Sequence, residues 1–302
     1  LYAQSEDYRQ AVRTQLIAGI ANTYYTLLML DEQLDLSRQT ETAWKETVAS
    51  TRALMNAGLA NESAVSQMEA AYYQVQSSVL DLQQQISQVE NSLALLLAET
   101  PRSYERGMLA KQQFPTDLSI GIPVRMLSSR PDVRSAERTL EAAFYGTNAA
   151  RSAFYPSITL SGSAGWTNSA GSLILNPGKF LASAVGSLTQ PLFNKGQVVA
   201  QYRIARAQQE EAALGFQQTL LNAGSEVNDA LIAYQTSQGK RLLLDKQIAS
   251  LQTALQSTSL LMEHGNTTYL EVLTSRQSLL SAQLSQTANH FTEIQSLINL
   301  YR

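Results

Sequence analysis

The sequence predicts a mainly α-helical protein with a small β part, built from long antiparallel coiled-coil helical hairpins. Three observations lead to this prediction. The chain has Pro-free stretches longer than a compact domain needs, apolar residues recur every seven positions in one stretch, and in one short region the apolar period falls to two. Charged residues make up only 16% of the 302 residues, so uncharged side chains supply most of the polarity.

A first long helix is predicted between Tyr2 and Ala57, a stretch with no Pro and a single Gly. At 1.5 Å per residue, a helix of roughly 55 residues would measure about 80 Å, so it needs a partner along its length. Its apolar residues follow one helical stripe. They are Leu16, Ile20, Leu27, Leu30, Leu34, Trp44, Val48 and Met55.

A second helix carries a strict seven-residue repeat, which predicts left-handed supercoiling against a helix of similar length. The repeat consists of Val65, Met68, Tyr72, Val75, Val79, Leu82, Ile86, Val89, Leu93 and Leu96. The first helix is the expected partner, joined through a turn at residues 56–61. Gly58 suits the left-handed position after a helix, and Asn61 suits the N-cap of the next one.

Proline and glycine then interrupt the pattern from Pro101 to Pro131, which predicts loops and short elements followed by a helix to about Phe154. From Tyr155 the period becomes two. Ile158, Leu160, Ala164 and Trp166 share one face of a predicted strand, with Ser and Thr on the other, and a weaker alternation runs from Phe180 to Leu192. Each strand has the length that spans a bilayer when tilted, and other strands must complete their backbone pairing.

Two further helices are predicted, from about Val198 to Met262 and from the turn at residues 263–267 to the end. Residues 54–58 match residues 261–265 at an offset of 207, and Ile20 and Val65 fall on Val227 and Val272 at the same offset. We interpret this as a duplicated long hairpin. The first copy then lacks its leading helix and strand pair, so we expect the chain to be the C-terminal part of a protomer.

The repeat gives the expected domain organisation. A first-repeat coiled-coil helical hairpin covers residues 1–100, and loops with short elements cover 101–130. The second repeat covers 131–302. It comprises a helix (131–154), a β-hairpin (155–193) and a coiled-coil helical hairpin (198–302).

Several functional classes are excluded by composition and motifs. A net charge of −3 without a Lys/Arg block gives no footprint for nucleic acid, and no apolar run is long enough for a transmembrane helix. There is no Cys, and neither His264 nor His290 has a carboxylate or Cys at ligand spacing, so we expect no metal site. No Gly-x-Ser-x-Gly elbow or phosphate-cradling loop occurs. We therefore expect no cofactor and no enzyme activity.

Four stretches carry a resemblance to a known family. They are Ile122–Glu137 with Arg130-Pro131-Asp132, Ala149–Ile158 at the helix-to-strand junction, Gln190–Gln197 at the strand-to-helix exit, and Gly265–Gln283 after the second turn. Together they resemble the TolC-like outer-membrane factors, the outer-membrane efflux proteins, in particular the branch that partners resistance-nodulation-division pumps. Ser129 departs from the arginine that the family usually has there, and the family's lipid-bearing Cys region lies outside the chain.

The resemblance implies a homotrimer in the bacterial outer membrane, in contact with outer-membrane lipid. Its protomers would share a twelve-stranded β-barrel and an α-barrel tunnel in the periplasm. It further implies a passive conduit of a tripartite efflux system, carrying drugs or other small molecules to the exterior. A periplasmic adaptor (membrane fusion) protein and an inner-membrane pump of the resistance-nodulation-division type would open its tip. The alternative is a soluble coiled-coil scaffold with a β insertion, which leaves the alternating strands and Trp166 unexplained.

The resemblance also suggests site residues. Leu270 matches a constricting leucine of the periplasmic aperture, and Thr274 stands where the family usually has a gating aspartate, so Glu271 is the candidate charge. The alternative is that Leu270 is a heptad core residue. Candidate adaptor contacts are the tip residues, which also serve as helix caps. These are Gly58, Leu59, Ala60, Gly265, Asn266 and Thr267.

Arg130, Pro131 and Asp132 allow an ionic or catalytic reading, but Pro and Asp in a first helical turn are ordinary capping and dipole chemistry. We therefore favour a structural role for this motif at the tunnel's equator. The Gln- and Ser-rich helix faces fit either a hydrated tunnel lining or a solvated exterior.

Overall fold

The computed structural model describes residues 2–112, 128–167, 179–190, 194–263 and 269–301. The order of elements matches the prediction. Helix α1 covers Tyr2–Asn56 and α2 covers Glu62–Leu97, followed by a short 3-10 turn at Leu109–Lys111. Helix α3 (Pro131–Ser152) leads into strands β1 (Ser157–Thr167) and β2 (Lys179–Thr189), and helices α4 (Gln197–Glu263) and α5 (Tyr269–Tyr301) follow.

Contacts within the chain group its residues into two compact units. The strand unit contains Leu1–Arg9 and Val124–Asn222, and the coiled-coil unit contains Gln10–Pro123 and Ala223–Arg302. This grouping follows spatial contacts, whereas the predicted division at residues 100 and 130 follows the duplication. The duplication-based division stays a prediction.

In the strand unit, β1 and β2 form one antiparallel hairpin with Ser157 opposite Thr189 and Trp166 opposite Phe180. The register places the apolar alternation of both strands on one face and the Ser/Thr alternation on the other, as predicted. The predicted second strand extended to Leu192, but β2 ends at Thr189, and 191–193 lie outside the described residues.

The strand unit also holds α3 close to α4. The Thr147 hydroxyl donates a hydrogen bond to the Ala205 carbonyl at 3.1 Å, which requires a short distance between the two helix backbones. At the start of α1, the buried carboxylate of Asp7 lies 3.2 Å from the Arg134 guanidinium of α3. Within the strand unit, this ion pair joins the first turns of α1 to α3.

In the coiled-coil unit, α1 packs along α2 as the heptad repeat predicts. Leu27, Leu30 and Leu34 of α1 form one buried cluster with Val79, Ile86 and Leu93 of α2. Leu16, which the stripe also included, is 42% exposed, so the first helical stripe is covered only from the partly buried Ile20 onward.

Helix α5 packs against α1 at two levels, and at the first of them also against α2. Near its start, Tyr269, Leu273 and Leu280 pack against a buried cluster of Trp44, Met68, Ala71 and Val75. Near its end, Ile294 joins Leu28 and Leu109 in a second cluster. Because Trp44 and Leu28 are almost fully buried, these two contacts hold α5 against α1. The buried Asn289 amide of α5 also donates to the Ser237 carbonyl of α4 at 2.8 Å.

The segment after α2 is tied across α1 and α2 by Arg106. Its guanidinium lies 2.8 Å from the Asp31 carboxylate of α1 and 2.6 Å from the Glu90 carboxylate of α2. Burial raises the pKa of Asp31 above its ordinary value, although Arg106 acts in the opposite direction. The tether delivers Leu109 to its buried position against α1 and α5.

Among the described residues, no helix combines the length and apolar character that crossing a membrane requires.

Candidate functional site

The turn between α1 and α2 is built on a left-handed glycine. Gly58 has φ +75°, and its N–H donates to the Met55 carbonyl at 2.9 Å, while the Leu59 N–H donates to the Leu54 carbonyl at 2.9 Å. This pair of bonds is the Schellman arrangement, which satisfies carbonyls that the helix end leaves open. The predicted capping role of Gly58 is therefore present.

The same turn starts α2 and exposes an apolar side chain. The Asn61 side chain accepts a hydrogen bond from the Ala64 N–H at 2.8 Å, which caps the new helix. Leu59 between them is 72% exposed. Of the predicted tip residues, Gly58, Leu59 and Ala60 are thus brought together in one turn, whereas Gly265, Asn266 and Thr267 lie outside the described residues.

The predicted aperture residues lie in the first two turns of α5. Leu270 is 57% exposed, while its neighbours Val272 and Leu273 face the packed side of the helix. The Thr274 hydroxyl donates to the Leu270 carbonyl at 2.8 Å, so this threonine is bonded to its own helix, and Glu271 is exposed. Leu270 is therefore outside the packed core of the single chain, and its aperture role stays a prediction.

The Arg130-Pro131-Asp132 motif starts α3. Arg130 is the N-cap residue and Pro131 occupies the first turn. The Asp132 carboxylate accepts from the Arg130 guanidinium at 2.8 Å and from the Val133 N–H at 2.9 Å. Burial tends to raise the pKa of Asp132, but these bonds outweigh it and the pKa is lowered. The geometry supports a helix-starting role, and the motif's place at a tunnel equator stays a prediction.

Sequence reasoning missed one buried contact beside the aperture residues. The guanidinium of Arg276 on α5 lies over the Trp44 ring of α1, 5.6 Å from its centroid. Trp44 is fully buried. The available signal was spacing, because Arg276 falls between Leu273 and Leu280 at the interval of a heptad core position.

No cluster of three or more His, Asp or Glu side chains among the described residues is placed to hold a metal ion. His290 lines a cavity of about 390 Å³ together with Glu32 and Asp245, and His264 lies outside the described residues.

The fold and the tip define a class of protein in which long coiled coils carry an amphipathic β-hairpin. A family model described as outer membrane efflux protein matches residues 1–99 and 122–302. The chain belongs to the outer membrane efflux protein family, whose members are channel proteins of the bacterial outer membrane.

Individual relatives agree with this assignment. The chain is 28% identical over 301 residues to the cation efflux system protein CusC of Escherichia coli O6:H1, covering 99% of the chain and 65% of that protein. It is 30% identical to the solvent efflux pump outer membrane protein SrpC of Pseudomonas putida, covering 100% of the chain and 64% of that protein. The solved outer-membrane channel OprN superposes with a TM-score of 0.93 at 26% identity, over 99% of the chain and 68% of that structure. The chain therefore spans about two thirds of its relatives' length.

We expect Gly58→Ala to destabilise the first tip by about 1 kcal/mol, because a side chain at φ +75° is strained even where there is space for it. The measurement is the thermal unfolding midpoint of the purified full-length protein. Gly19→Ala is the matched control. Gly19 lies within α1 and also has open space around it, so alanine there should raise the midpoint. Equal midpoints for Gly58→Ala and wild type would contradict the capping account.

Proposed function

We propose that the protein is the outer-membrane channel component of a tripartite efflux system, a passive conduit for drugs or other small molecules from periplasm to exterior. The proposal rests on one observation. A member of the outer membrane efflux protein family has both a bilayer-length amphipathic hairpin and long paired helices. The hairpin suits a membrane and the helices suit a periplasmic extension.

The hairpin has two chemically different faces. On one face, Ile158, Leu160 and Leu188 are exposed apolar side chains suited to outer-membrane lipid. On the other, hydroxyls dominate, and the Ser163 and Ser183 hydroxyls lie 2.8 Å apart. The side chains described in the two strands carry no charge, so this face suits a water-filled passage without strong binding of solutes.

Backbone pairing supports assembly with further copies. The single hairpin leaves both outer edges without partners among the described residues, and such edges are costly in hydrocarbon. Other strands must therefore complete the sheet. A homotrimer supplies them by symmetry, and rotational symmetry is the common solution for identical subunits.

The coiled-coil unit supplies the part that opens. In the proposal, a periplasmic adaptor protein contacts the tips at Gly58, Leu59, Ala60, Gly265, Asn266 and Thr267. An inner-membrane pump of the resistance-nodulation-division type supplies the energy, and the conduit itself carries out no chemistry and needs no cofactor. The names of CusC and SrpC indicate cation and solvent efflux for those proteins, so we propose a small-molecule cargo without choosing between these classes.

The start of α5 supplies the narrowest ring in this proposal. Three copies of Leu270 would form an apolar constriction, with Glu271 as the nearest charge and Thr274 one turn further on. The exposure of Leu270 in the single chain supports this placement, because a constricting side chain must project from the helical wall.

Cells that lack the full-length gene should accumulate a fluorescent efflux substrate, because the export path ends at the outer membrane. Complementation with the gene should restore the low level. The measurement is dye fluorescence per cell, with the empty vector as control. Unchanged accumulation across several dyes, together with full solubility of the product without detergent, would favour the scaffold alternative.

We expect Leu270→Ser to raise the single-channel conductance of the full-length protein in planar bilayers, because serine is smaller and polar. Leu80→Ser is the control, since Leu80 is similarly exposed but lies mid-way along α2. A conductance unchanged by Leu270→Ser would remove the aperture assignment.

A further inference from the structure

Near its start, the packed side of α5 contains one charged residue in an otherwise apolar row. Tyr269, Leu273, Arg276 and Leu280 follow each other at intervals of four, three and four residues. Those intervals mark the buried positions of a coiled coil, where apolar side chains pack into holes of the partner helix. Tyr269, Leu273 and Leu280 do pack against the Trp44 cluster. Arg276 therefore stands where an apolar residue would be expected.

The surroundings of Arg276 compensate its charge only in part. The Trp44 ring offers a cation–π contact at 5.6 Å from ring centroid to guanidinium, and Glu46 attracts the charge from α1. However, the Nε atom of Arg276 and the Nε1 atom of Trp44 are both buried without a hydrogen-bond partner in the described part of the chain. Two buried donors are left unsatisfied within one helix contact, which weakens it.

The charge itself adds to this cost. Burial lowers the pKa of Arg276 despite the attraction of Glu46, so the folded surroundings favour the charged form less than water does. Arginine nevertheless stays protonated at any pH that a bacterium meets. The cost is therefore present under all working conditions, and an apolar residue of similar length would remove it.

We propose that Arg276 is a positioning residue that keeps the packing of α5 against α1 weak beside the aperture, so that the start of α5 can move away when the conduit opens. The inference rests on the proposed conduit function. Arg276 lies six positions after Leu270 on the same helix, or about 9 Å along its axis. Its packing therefore affects the position of the aperture residues, and Arg276 acts through them.

The far end of α5 has more contacts that hold it in place. Further along α5, Ile294 is buried against Leu28 and Leu109, without a charged residue in that cluster. The far end of α5 is held by these apolar contacts and by the buried Asn289 amide, which donates to the Ser237 carbonyl of α4 at 2.8 Å.

At the far end, the one largely buried charge, Glu293, lies 3.9 Å from the Arg241 guanidinium. The contact next to Leu270, in contrast, includes the half-buried Arg276 with its unsatisfied Nε atom. A helix fixed at one end and weakly held at the other can pivot.

The test is the open probability of the full-length protein in planar bilayers, with its thermal unfolding midpoint measured in parallel. Arg276→Met keeps the length and removes the charge. We expect its openings to become about tenfold rarer and its midpoint to rise, since an apolar side chain completes the row. Arg276→Lys keeps the charge over Trp44 and should stay close to wild type. Arg52→Met is the matched control, because Arg52 pairs with Glu69 of α2 and not with α5.

The outcomes separate this inference from the conduit function. If the wild type conducts and Arg276→Met opens as often or more often, Arg276 is a stabilising contact and the inference is wrong. The inference is also wrong if Arg276→Met no longer forms one defined trimer, because Arg276 would then specify the pairing of helices. A wild type that forms no channel contradicts the conduit function itself.

Discussion

The packing of α5 against α1 and α2 around Trp44 is the interaction on which the coiled-coil unit depends. Trp44 is fully buried where side chains from all three helices meet, and the tether through Arg106 delivers Leu109 to the second meeting point. Large buried aromatic side chains contribute strongly to packing, so removal of the indole would leave a void that three helices share. This packing determines the positions of the turn at residues 56–61 and of the start of α5. Opening of the proposed conduit would therefore have to change this contact.

Much of the fold follows from periodicity alone. The heptad row of α2 predicted its buried side, and α1 was identified as its partner because nothing else of that length adjoins it. The alternation in β1 predicted the two faces of the hairpin, since side chains alternate strictly along a strand. Gly58 and Asn61 predicted the tip because each is the residue type that its cap conformation requires.

The contacts missed by sequence reasoning join residues far apart in the chain. Arg106 reaches Asp31 and Glu90, and Arg276 reaches Trp44. The periodicity of the sequence does not predict either pairing, because many carboxylates and aromatic residues were available to each arginine. The position of Arg276 in the heptad row was visible in the sequence. Its unsatisfied Nε atom was not, because hydrogen-bond satisfaction depends on how three helices meet. The aperture and adaptor-contact roles came from family resemblance, and the structure adds the exposure of Leu270 and Leu59 and the left-handed cap at Gly58.

In the proposed conduit, export requires α5 to move against α1 and α2. The most direct measurement is efflux by the full-length protein with cysteines at Val75 and Leu280, which line one groove between α2 and α5, joined by a short cleavable thiol cross-linker. A pair at Leu30 and Ile86 joins α1 to α2 instead and serves as the control. We predict that the first cross-link stops efflux, that cleavage restores it, and that the control cross-link has no effect. Full efflux through a completely cross-linked α2–α5 pair would contradict it.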